Sequence, residues 1–103
     1  MARSYSDKFL LALNKNKADS LGVRLGRLCV KANLPAAYVA VALGVSPITV
    51  YSWFRGQGIS ESRRRSVDTL ITMLTHDLED KLLPVRNVGD AKKYIENLAG
   101  VKI

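Results

Sequence analysis

The chain has 103 residues and carries 16 Lys and Arg against nine Asp and Glu, a formal net charge of +7. Its 48% hydrophobic and 24% charged residues are the balance of one folded domain with short extensions, and exclude a disordered or fibrous chain. With Cys29 as the sole cysteine there is no internal disulfide, no multi-cysteine zinc site and no redox pair. The excess charge is uneven: residues 1–65 hold 11 basic and three acidic side chains, residues 66–103 five and six. A cationic front of this kind suits a polyanion, most often nucleic acid. The apolar stretch Phe9–Leu13 is too short for a secretory signal, and Leu34–Val50 is interrupted by Pro35, Gly44 and Pro47, so the expectation is a cytoplasmic chain with no membrane contact.

In chain order, Ser6 and Asp7 cap a short helix carrying Phe9, Leu10 and Leu13 on one side. Asp19 or Ser20 opens a second helix, with Leu21, Leu25, Leu28 and Ala32 on its apolar face and Arg24, Arg27 and Lys31 opposite. Pro35 ends it, because a proline disfavours helical geometry in the residue before it. Ala36–Leu43 forms a compact helix, and Gly44 supplies the left-handed residue at its end. Ser46 caps the next helix with Pro47 in its first turn. That helix runs to Phe54 or Arg55 and stops at Gly56-Gln57-Gly58. The two helices are joined so tightly that they must cross steeply.

Ser60 and Glu61 cap a longer helix with a stripe at Val67, Leu70, Ile71, Leu74, Leu78 and Leu82, which Pro84 terminates. Asp90 caps a last helix bearing Tyr94, Ile95 and Leu98. The chain reads as all-α, divided into an N-terminal arm with a short helix (1–19), a central domain (20–83) and a C-terminal helical extension (84–103). Met73, Leu82, Leu83, Val85, Ile95 and Leu98 read as surplus to one small core and point to a homodimer.

The string Leu-Gly-Val-Ser-x-x-Thr-Val-x-x-Trp-x-x-Gly from Leu43 to Gly56, after small Ala40 and apolar Val39, resembles a helix-turn-helix of the Cro/repressor class. These are the lambda-repressor-like regulators of phages and bacteria. Leu21-Gly22 with Arg24-Leu25 and Leu28 resembles that family's first helix, so the likeness covers about Ser20 to Leu83. It implies a helical bundle in which Val39, Leu43, Val45, Val50 and Trp53 wedge the helices together and Ser46–Phe54 enters the major groove of double-stranded DNA. The outward stripe is then Pro47, Ile48, Tyr51, Ser52 and Arg55, with Pro47, Ile48 and Ser52 at base-reading positions. Thr49, Arg55 and the amides at the start of the Ala36 helix are implied phosphate contacts, and Tyr51 and Ser52 are implied hydrogen-bonders of a base edge or a phosphate. Ser46 belongs to the same DNA-binding set, and the run Arg63, Arg64, Arg65 is placed to add backbone contacts.

Three departures temper the specificity expected. Ala36 stands where the family often has a phosphate-clamping glutamine, and Pro35 where it has a Ser or Thr cap. The reading positions hold no Gln, Asn or Arg, the side chains whose bidentate pairing is worth about 1–3 kcal/mol of base discrimination. Backbone electrostatics and DNA shape therefore carry most of the expected affinity. The same string is also similar to tetracycline-repressor and recombinase versions of the motif, which chain length disfavours.

The remaining polar residues read as structural. His76 beside Asp77, Glu79 and Asp80 is a solvated helix face, and Cys29 a small buried apolar residue. No nucleophile stands near a histidine, so neither enzyme activity nor a cofactor is expected. Two functions stay open: a transcriptional regulator that occludes or recruits polymerase, and a small helical interaction module or inhibitor of a nucleic-acid enzyme.

Overall fold

The computed structural model describes residues 5–15 and 20–103, which form six α-helices and no strand. They are α1 (Asp7–Lys15), α2 (Leu21–Ala32), α3 (Ala36–Leu43), α4 (Pro47–Phe54), α5 (Glu61–Glu79) and α6 (Val88–Ala99). The all-α expectation holds. Asp19 and Lys17 lie outside the described residues, as does part of the basic N-terminal arm.

Local capping chemistry sets four of the helix ends as expected. Ser6 Oγ accepts from the Phe9 amide, Ser20 Oγ from Val23 and Ser46 Oγ from Thr49, so three hydroxyls satisfy amides that helix geometry leaves unpaired. Gly44 takes the left-handed conformation at φ 69° after α3.

Elsewhere the ends differ from expectation. α2 is stopped by Asn33, left-handed at φ 59°, whose amide bonds back to Cys29 and Val30 carbonyls. Pro35 acts one step later, as the residue before α3. α5 ends at Glu79, not near Leu82, because Lys81 turns left-handed at φ 64° and sends the chain back over Asp77. The Leu82 and Leu83 amides both donate to the Asp77 carbonyl. The cap of α6 is Asn87, whose Oδ1 accepts from the Asp90 amide; Asp90 sits inside the first turn.

The buried face of α2 is rotated from the leucine stripe. Gly22, Leu25, Gly26, Cys29 and Ala32 are buried, while Leu21 and Leu28 flank them half-exposed. Glycine carries no hydropathy signal, yet here it is what lets α4 approach. A Cβ on Gly22 would overlap the Trp53 carbonyl, and one on Gly26 would press on the Phe54 ring at 3.1 Å. α4 therefore rests on the bare backbone of α2. α5 packs along α2 from another side, and α6 lies against α3.

A single core joins all these helices. Tyr5, Leu25, Val39, Val50, Phe54, Leu74, Leu83, Val85 and Ile95 belong to one buried cluster. Packing thus crosses the boundaries drawn at 19/20 and 83/84: Tyr5 donates its hydroxyl to the Leu34 carbonyl, and the Val85 amide donates to Ala32. Leu83, Val85 and Ile95 are buried in the chain's own core. Of the residues read as surplus, only Met73 and Leu82 remain exposed, and Leu98 is half-buried. The apolar surface that suggested a homodimer is largely used within one chain. No single helix among the described residues is long and apolar enough to cross a membrane.

Candidate nucleic-acid interface

The candidate site is built on α3 and α4, whose axes turn by 107° across the short connection Gly44–Ser46. Three things hold that angle. Gly44 supplies the left-handed step, the Val45 amide returns to the Ala40 carbonyl, and Ser46 restarts helical hydrogen bonding. Val39, Ala40, Val50 and Trp53 are buried beneath the joint, with Val45 half-buried, so the expected apolar wedge is present.

α4 has one face in the core and one in solvent. Val50, Trp53 and Phe54 are buried; Ser46, Pro47, Ile48 and Arg55 are exposed. Ile48 is the most exposed large apolar side chain among the described residues, at 77%. The remaining expected contact residues are only partly open. Thr49 and Ser52 are half-buried, and the Thr49 hydroxyl lies 3.0 Å from Ser46 Oγ.

Tyr51 departs furthest from expectation. Its ring meets Phe9 of α1 edge-on at 5.6 Å between centroids and Phe54 at 6.1 Å. Phe9 in turn stacks on Tyr5 at 5.2 Å. The expected outward stripe is thus most open at Pro47, Ile48 and Arg55, while Tyr51 and Ser52 are both half-buried and α1 packs against the Tyr51 flank. Sequence reading missed this docking. The available signal was the aromatic pair Tyr5 and Phe9, four residues apart, beside the apolar side of the short helix read there.

The arginine run is divided as well. Arg63 Nη1 donates to the Leu43 carbonyl at 3.1 Å, so this side chain closes the end of α3 and brings the start of α5 to the α3–α4 joint. Part of its hydrogen-bonding capacity is therefore internal. Arg64 and Arg65 are exposed and line a shallow hollow with Leu21 and Asp68. No side chain caps the first turn of α3, since Pro35 has no polar atom to offer, nor does the Ser60 side chain cap α5. α4 contains no acidic residue.

Two groups outside this surface behave as expected. Cys29 is fully buried, and burial pushes its thiol well above the ordinary range. His76 Nδ1 lies 3.2 Å from Asp80 Oδ2 on the exposed side of α5. No family model, no curated protein and no solved structure matches this chain.

Proposed function

We propose that the chain is a helix-turn-helix protein, similar to the Cro/repressor class, that binds duplex DNA through α4 and regulates transcription by occluding or recruiting polymerase. One observation carries this reading: a short helix without acidic residues is locked at 107° to its neighbour and presents Pro47, Ile48 and Arg55 to solvent. The exposed Arg64 and Arg65 at the adjoining start of α5 support it with sites for backbone phosphates. Such a surface derives affinity from phosphates and shape. Its clearest base contact is Ile48 against a thymine methyl group.

Anisotropy titrations on random-sequence duplex across a salt series test the reading. A regulator of this kind loses affinity with a log–log slope of about −0.9 per phosphate neutralised. Selection from a random pool is then expected to enrich thymine-containing steps, and replacing those thymines by deoxyuracil, which lacks the methyl, to remove the preference. The Arg64→Ala, Arg65→Ala double variant is expected to weaken binding to all sequences alike, and is a cleaner probe than Arg63, whose loss would also loosen the α3–α4 joint. A chain with no duplex affinity at low salt would overturn the reading. The exposed, purely apolar Ile48 would then favour the second one, a helical module that docks on a nucleic-acid enzyme.

A further inference from the structure

α1 touches the candidate reading helix directly. Phe9 packs on Tyr51, and Phe9, Ala12 and Leu13 of α1 line one hollow together with Phe54 and Arg55 at the end of α4. Ala12 thus marks the edge of α1 that borders Arg55. Lys8, Ala12 and Lys15 are spaced at i, i+4 and i+7, and so share that edge. Both lysines are exposed, as is Arg55. The sole acid on α1 is Asp7 in its first turn.

From this geometry we infer that α1 is a second duplex-facing element, whose Lys8 and Lys15 grip the DNA backbone beside the groove entered by α4. The inference rests on the reading that α4 binds duplex DNA. Seven residues of helix advance about 10 Å, so the two lysines are far enough apart to meet separate phosphates of the backbone. Docking through Phe9 leaves Tyr51 half-buried and sets the cations of α1 along the edge that ends in Arg55. An electrostatic edge of this kind adds affinity without sequence preference.

The experiment uses the full chain with random-sequence duplex. The Lys8→Ala, Lys15→Ala double variant is expected to make the log–log salt slope shallower by about 1.8, with the order of preferred sequences and the melting temperature unchanged. Phe9→Ala keeps both charges but removes the ring contact to Tyr51, and is expected to lose a similar part of the slope. Binding by the unaltered chain with an unchanged slope in the lysine variant would overturn this inference alone. A full slope in Phe9→Ala beside a reduced one in the lysine variant would overturn the docked position of α1. Absence of duplex binding by the unaltered chain would instead bring down the reading of α4 itself.

Discussion

Two joints in this molecule turn the chain between helices by different physical means. Between α3 and α4 the hydrogen bonding is mainly local: Gly44, Val45 and Ser46 bond to residues within a few positions, and among the described residues Arg63 adds a distant hydrogen bond, above a wedge that the core shares. Between α5 and α6 the residues 80–87 are held mainly by remote parts of the fold. Val85 donates to Ala32, Asn33 Nδ2 donates back to the Val85 carbonyl at 3.1 Å, and Leu83 and Val85 are buried. A joint built from near neighbours keeps its angle as a property of the segment. One built from remote contacts exists only when the core around it has formed. The functional surface is assigned to the first kind, which suits a helix whose angle to its partner must not vary.

Leu83→Ala is the strongest test of this contrast. It empties a buried site at the α5–α6 joint, and a loss of about 2–5 kcal/mol is expected from urea unfolding. Gly44→Ala comes next. A Cβ there meets nothing nearer than Arg63 at 3.7 Å, so the cost is the left-handed backbone alone, about 1–2 kcal/mol. If Gly44→Ala cost as much as Leu83→Ala, the distinction between local and remote joints would fail.

The caps sharpen the comparison. Ser46→Ala and Asn87→Ala each remove one side-chain acceptor from a first turn, and each is expected to cost about 1 kcal/mol. Hydrogen exchange should separate them: amides of α4 are expected to open locally in the first variant, while the second variant should also loosen the 80–87 connection.

The smallest effect concerns alkaline pH. Burial raises the Tyr5, Cys29 and Tyr94 groups, and Tyr94 also donates its hydroxyl to Asp77 across the α5–α6 joint. The folded chain therefore keeps protons that the unfolded chain releases as pH passes about 8.5–10. Stability is full below that range and falls as pH rises through it. Melting temperatures recorded from pH 7 upward should fall, and less steeply in Tyr94→Phe; a rise would contradict the assignment.

Much of the helical order was legible because its signals are short-range. Ser20, Gly44, Ser46 and Pro47 act within one turn of themselves, and the elements they bound match expectation. The misread C-terminal ends of α2 and α5 share a different cause. Asn33 and Lys81 adopt positive φ, which Asn favours and Lys does not announce. Leu82 continues the apolar period of α5 by position, yet the chain has already turned away and leaves it 64% exposed. In the candidate site, the family resemblance implied the inward Val50 and Trp53 and the outward Pro47, Ile48 and Arg55, whereas the contact of Phe9 with Tyr51 and the bond from Arg63 to Leu43 join residues 42 and 20 positions apart.

The residue order alone settled six helical segments, the steep α3–α4 joint and a cationic front, since caps, glycine and charge act where they stand. Tertiary structure decided which face of α2 is buried, how the terminal segments close one core and how much of α4 remains open. Those outcomes depend on backbone approach and on shared burial between distant residues, which no local pattern encodes.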